Sequence, residues 1–203
     1  MHDTVTVLVG AQQKPILVHE DRICKTSKVL KAACSKEWTT GEARVVRLPD
    51  EEPIIFSAYA HWTYTGTLLA TSNDLKGPRS NEIVAGYLLG DRLEDVQYRN
   101  YTTDRLITRS KEAEVYLKAS AIVLVYNSTP QNSLLRRLLV DQYVACRAPN
   151  LRYQAHGFPH DFVRDVAVAA LEFLPLGTIQ FAEDRSKYLE AAETAGGVPR
   201  VQG

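Results

Sequence analysis

Apolar residues at the start of the chain recur at every second place. Val5, Val7 and Val9 alternate with Thr6 and Leu8, which predicts a strand with one apolar face. Gly10-Ala11-Gln12-Gln13 supplies a turn, and Lys14 to His19 (KPILVH) predicts a second strand, so the pair reads as a hairpin with a loop longer than the tightest type. The period then changes. Glu20 to Ser35 reads as two short helices broken at Ser27, which can cap the second. Val29, Leu30, Ala33 and Cys34 recur there at helical spacing. Glu37 to Glu42 reads as a loop, and Val45 to Leu48 as a third strand ended by Pro49.

The stretch from Asp50 to Leu69 organises the rest. Ile55, Tyr59 and Trp62 share one helical face. Asp50 is the expected N-cap, Glu51 and Glu52 suit the positive end of the dipole, and Gly66 can end the helix in the left-handed conformation. Thr67-Leu68-Leu69 could start a short strand. Ala70 to Ser80 is polar and reads as a surface loop. Asn81 to Leu93 follows as a helix with Ile83, Val84, Tyr87 and Leu88 on a broad apolar face. Glu94-Asp95 marks a joint, and Val96 to Thr108 reads as a more polar helix with Val96, Thr103, Leu106 and Ile107 facing in.

A charged stretch from Ser110 to Val115 marks a soft boundary. Beyond it, Ile122 to Tyr126 is β-branched and continuous, and the pattern does not separate helix from strand. Thr129-Pro130 reads as a helix start, followed by Leu135, Leu139 and Tyr143 one turn apart. Ala148 to Gly157 is irregular. Phe162, Val166, Ala169, Ala170 and Phe173 stripe a further helix, broken by Pro175 and Gly177. The polar end, with Gly196-Gly197, reads as one weak helix near Arg185 to Ala192 and a frayed terminus. Strands early and helices late predict an α+β fold: a small mixed sheet with a cluster of helices, followed by an α-helical C-terminal extension. The expected divisions are residues 1–112, a helical extension over 113–180, and a weakly structured tail over 181–203.

The 203 residues suffice for a core that needs no disulfide. Lys+Arg and Asp+Glu both number 24, and this zero formal net charge argues against general nucleic-acid binding. Cys24, Cys34 and Cys146 show no CxxC spacing, which points to a reducing intracellular compartment, nuclear or cytoplasmic. The N-terminal apolar run is too short for a signal peptide, and the longest apolar stretch, Ala121 to Tyr126, falls far short of the ~20 residues that span a bilayer.

Chemistry is sparse. His19, Asp21 and Cys24 are close in sequence, but a cysteine nucleophile needs a convergent base and an oxyanion site, and nothing marks one. His156 and His160 have zinc-pair spacing, yet Gly157 and Pro159 between them oppose the helix that would align them. The Gly10 to Lys14 turn lacks the spacing of a phosphate loop. Arg136-Arg137 and Arg105, Arg109 and Lys111 read as solvated basic faces or contacts for acidic partners. The expectation is therefore no catalytic residue, no metal, no cofactor and no small-molecule substrate. Tyr59, Trp62, Tyr64 and Tyr87 read as core, with part of Trp62 or Tyr64 able to reach the surface as an interface anchor.

In this order of elements, the pieces VTVLVG, KPILVHEDRIC, VVRLPDEEP, HWTYTGTL and GDRLEDVQYRN followed by LI resemble a BTB/POZ domain of the fungal branch. STPQNSLLRRLLVDQY and FPHDFVRDVA resemble the helical region that follows it, so the resemblance runs over about residues 4–172. It implies a non-catalytic protein-interaction and scaffolding module that binds other proteins and forms homodimers or hetero-oligomers, or else an adaptor holding substrates for a cullin-type ubiquitin ligase. An enzyme of unrecognised type using His19 or His156 is the reading from another class. The first strand is expected at about residue 4, without the N-terminal helix and strand that dimeric members swap. The apolar-x-acidic cullin motif matches Phe56-Ser57-Ala58, with alanine in place of the acid, and Arg22 stands where the family has an aliphatic residue. The expected partner surface comprises Phe56, Ser57, Ala58 and Tyr64.

Overall fold

A computed structural model describes residues 4–35, 44–69, 79–113, 117–145 and 157–173. Its architecture is α+β. β1 (Thr4–Val9) lies between β2 (Lys14–His19), to which it is antiparallel, and β3 (Val45–Leu48), to which it is parallel. The register sets Val5 opposite Val18 and Val7 opposite both Ile16 and Val46, so the alternating valines bury one face of a mixed sheet. The turn uses positive φ at Gly10 (76°) and Gln13 (50°). A Cβ on Gly10 would stand 3.2 Å from the Glu51 carbonyl oxygen, so glycine lets the hairpin turn pack against the chain at Glu51 and Pro53.

The two short helices are α1 (Glu20–Ile23) and α2 (Lys28–Cys34). Ser27 caps α2 as its sequence implies: its oxygen accepts from Leu30 N–H at 3.0 Å. The same hydroxyl donates to the Leu93 carbonyl at 2.7 Å, fastening α2 to a distant joint.

α3 (Pro53–Thr65) differs from expectation at its start. Glu52, not Asp50, is its N-cap, because Pro53 fixes the first helical position. No side chain caps it, and Glu51 turns away to grip the Arg92 guanidinium through two 2.5 Å contacts. At the other end Gly66 takes φ 71° and donates to the Trp62 carbonyl at 2.8 Å, as expected. Thr67 to Leu69 form no strand; Leu68 N–H donates to the Tyr101 hydroxyl at 3.0 Å instead.

α4 (Ser80–Arg92) and α5 (Val96–Ala113) meet at Glu94, whose φ is 50°. Asp95 caps α5 by accepting from Tyr98 N–H at 2.9 Å. Val96, expected to face in, is 49 % exposed, because the inward stripe of α5 is set by Tyr98, Thr102 and Leu106. α5 also runs past Thr108 to Ala113, into the charged stretch expected as a boundary.

The later helices are α6 (Ala119–Ser128), α7 (Leu134–Ala145) and α8 (His160–Phe173). Ile122 to Tyr126 is thus helical. Thr129 ends α6 rather than starting α7: its hydroxyl bonds back to the Val125 carbonyl at 2.7 Å, and α7 begins only at Leu134. Leu135, Leu139 and Tyr143 are buried along α7 as their spacing predicts.

Two apolar clusters result. One joins the sheet to α3 and the α4–α5 joint; the other joins α4 and α5 to α6, α7 and α8. α4 stands between them, giving Leu89 to the first and Ile83, Val84, Tyr87 and Leu88 to the second. The expected loop at Glu37 to Glu42, nearly all of the Ala70 to Ser80 loop, most of the irregular segment from Ala148, the breakers Pro175 and Gly177 and the tail at 181–203 lie outside the described residues.

Candidate interaction face on the α3 helix

α3 is clasped on both sides, by β2 and α1 on one and α4 on the other. That burial decides which expected site residues reach solvent. Phe56 is 0 % exposed and its ring lies 5.9 Å from that of Tyr59; Ala58 is 3 % exposed. Both must be removed from the expected partner surface. Matching a motif fixes only a place in the sequence, whereas the roll of the helix turns them into the core. Ser57 is half-buried and its hydroxyl donates to the Pro53 carbonyl at 2.8 Å. Tyr64 is 41 % exposed and remains.

Tyr64 is held from three sides. His19 N–H donates to its hydroxyl oxygen at 2.8 Å, and that oxygen stands 2.8 Å from His19 Nδ1. Both contacts are satisfied when the hydroxyl donates to Nδ1 of a neutral imidazole. The two rings meet edge-on at 5.8 Å, and the Arg22 guanidinium carbon lies 5.7 Å from the Tyr64 ring centre. The stripe of α3 that reaches solvent is therefore Ile54 and Tyr64, both exposed, with half-buried Ser57 and His61 between them, bordered by Arg22, His19 and the 69 % exposed Leu17. Ile54 and His61 were missed by motif reasoning. Their signal was available: spacings of three, four and three along α3 complement the buried stripe.

The other chemical candidates disperse. His19 is committed to Tyr64, while the Cys24 thiol bonds the Leu30 carbonyl at 3.5 Å and burial pushes its pKa well up, so the pair is not an activated nucleophile. His160 is exposed at the start of α8, and His156 lies outside the described residues. Among the described residues no group of three or more His, Cys, Asp or Glu could hold a metal, and no described helix is long and apolar enough to cross a membrane.

Arg136, expected on a solvated face, is buried. Its guanidinium lies 4.3 Å from the Tyr126 ring centre and donates to Tyr126 O at 2.6 Å, to Thr129 Oγ1 at 3.0 Å and to Thr129 O. It gathers the orphan carbonyls at the end of α6, whose partial negative charge compensates the cation. Arg137, by contrast, is solvated, 4.0 Å from Asp141.

A cavity of about 780 Å³ lies elsewhere, between α5 and α7, walled by Leu106, Ile107, Leu117, Leu138 and Leu139. Its polar lining is Ser110, Lys111, Asp141 and Gln142; Gln142 Nε2 donates to Ser110 Oγ at 2.6 Å, and Ser110 donates to the Leu106 carbonyl at 2.8 Å. Nothing there activates Ser110 as a nucleophile.

No protein-family model matches the chain, and no curated protein matches it.

Proposed function

We propose that this chain is a BTB/POZ-like protein-interaction module of the fungal kind, working without catalysis inside the cell, and that the α3 face built on Tyr64 grips its partner. Supporting this reading, the five pieces that carry the resemblance fall on successive elements: β1 and its turn, β2 with α1, β3 with the entry to α3, the end of α3, and the α4–α5 joint. The observation that carries the choice of face is the clasp on Tyr64. A large aromatic ring is half-exposed yet pinned by His19 and Arg22, so little conformational freedom is lost when a partner covers it. The cullin-adaptor form is weaker, because Phe56 is buried and Ala58 provides no charge.

The experiment is affinity capture from fungal extract with the native chain, Tyr64→Ala, Arg22→Ala and Phe56→Ala, read beside thermal unfolding and sedimentation of each. Tyr64→Ala and Arg22→Ala should lose the captured protein, or the homodimer, with folding intact. Phe56→Ala should lower stability by about 3–5 kcal/mol. Undiminished capture by Tyr64→Ala and Arg22→Ala rules out this face.

A further inference from the structure

The space of about 780 Å³ between α5 and α7 takes no part in the Tyr64 face. Protein interiors close at the density of organic crystals, and voids much larger than a water are few. Here the helical core stays open. Leu106, Leu117 and Leu139 are buried members of its cluster, yet Ile107 and Leu138 in the same wall are only half-buried. The packing explains this. α5 rests chiefly on α4, and α7 on α8, so room is left between α5 and α7. The volume falls within the roughly 300–1,000 Å³ of small-molecule pockets.

The polar residues of the cavity are gathered in one place, because the 2.6 Å bond from Gln142 to Ser110 joins the two helices there. Ser110 is used up: its proton goes to the Leu106 carbonyl. Gln142 has spent one of its two amide hydrogens, and the second finds no acceptor among the described residues. Lys111 is exposed and forms no ion pair among the described residues, while the Asp141 carboxylate has the Arg137 guanidinium 4.0 Å away to offset it. The rim therefore offers an ammonium and an amide donor, and the wall is aliphatic.

We propose that this cavity binds a long-chain monocarboxylate of the fatty-acid class. Its acyl chain would lie along Leu106, Ile107, Leu138 and Leu139, and its carboxylate would accept from the Lys111 ammonium and the second Gln142 N–H. A cationic head would meet Lys111, and a wholly polar molecule would leave the aliphatic wall unfilled. The site is separate from the α3 face and does not depend on it.

The test is isothermal titration of the full chain with decanoate, dodecanoate and decanol, each below its micelle-forming concentration. Saturable one-to-one binding is expected, about tenfold tighter for dodecanoate than for decanoate because two more methylenes leave water. Lys111→Gln should weaken decanoate about three- to tenfold, the size of a partly solvated charge-assisted contact, and leave decanol unchanged. Ile107→Trp and Ala145→Trp each put an indole into the space and should abolish binding. Ala145 is exposed, so its replacement leaves the core intact, and circular dichroism confirms the fold of each variant. The proposal is overturned if no saturable binding is seen, if folded Ala145→Trp takes up decanoate as the native chain does, or if decanol binds as tightly as decanoate.

Discussion

The Tyr59 hydroxyl donates to the Asp95 carboxylate at 2.9 Å, and both residues are 0 % exposed. Thr26 Oγ1 and Tyr98 N–H complete the set of donors, so a buried anion is stabilised by hydrogen bonds, with no ion pair among the described residues. Tyr59→Phe removes one donor and should cost about 1–3 kcal/mol. Asp95→Ala removes the α5 cap and orphans two hydroxyls, so about 3 kcal/mol or more is expected. Urea midpoints at unchanged slope would check both.

Alkali should unfold the protein through the same core. Burial pushes the phenols of Tyr59 and Tyr98 well above the ordinary value of 10, and the buried Tyr98 hydroxyl has no hydrogen-bond partner among the described residues. Because the folded pKa values are raised, the stabilisation is fully present below pH 10. Above it the unfolded chain releases these protons and the folded chain does not, so stability falls by about 1.4 kcal/mol per pH unit for each group. Denaturation midpoints measured across this range should decline, and Tyr98→Phe should flatten the decline.

Gly86 and Gly90 in α4 should resist the usual helix-strengthening replacement. A Cβ at Gly86 would stand 3.0 Å from the Tyr98 hydroxyl, and one at Gly90 would stand 3.1 Å from both Arg99 Cγ and Tyr98 Cδ1. Propensity alone favours alanine by about 1 kcal/mol. The close approach of α5 should reverse that sign at Gly90, where a packed ring and a side-chain stem both oppose the new methyl, costing about 1–3 kcal/mol. A lower thermal midpoint for Gly90→Ala is the expected readout.

Arg136 should behave as a structural clamp. Arg136→Ala leaves the carbonyls of Tyr126 and Thr129 without their donor and strips a cation from the Tyr126 ring, for an expected loss of about 2–4 kcal/mol. Arg137→Ala, on the exposed side of the same turn, should change stability by less than about 0.5 kcal/mol. Parallel thermal melts of the two variants separate the roles.

What the sequence disclosed was what neighbours along the chain determine. The Val5-Val7-Val9 alternation, the Ser27 cap, Gly66 and the Leu135-Leu139-Tyr143 stripe each depend on residues a few places away, and the fold keeps them. Distant partners were opaque. Asp95 meets Thr26 and Tyr59 only once the chain has folded, so its burial left no periodic trace. Arg136 carried the composition of a surface residue, and only the carbonyls that receive it explain its place. Thr129-Pro130 fits a helix start equally well as a helix end, and the back-bond to Val125 decided it. At the candidate site Tyr64 was legible as a ring that reaches solvent. Phe56 and Ala58 were misplaced because α3 is covered on two sides and its burial extends beyond one stripe.

The position of α4 also sets a timetable for synthesis. A nascent chain that has emerged only as far as residue 112 can complete the sheet-side core, but Ile83, Val84, Tyr87 and Leu88 then have only Leu106 of their own cluster beside them until Leu117, Leu139 and Phe162 leave the ribosome. During that interval the first half is a sticky intermediate, and chaperones that shield greasy surfaces should find it there rather than after release.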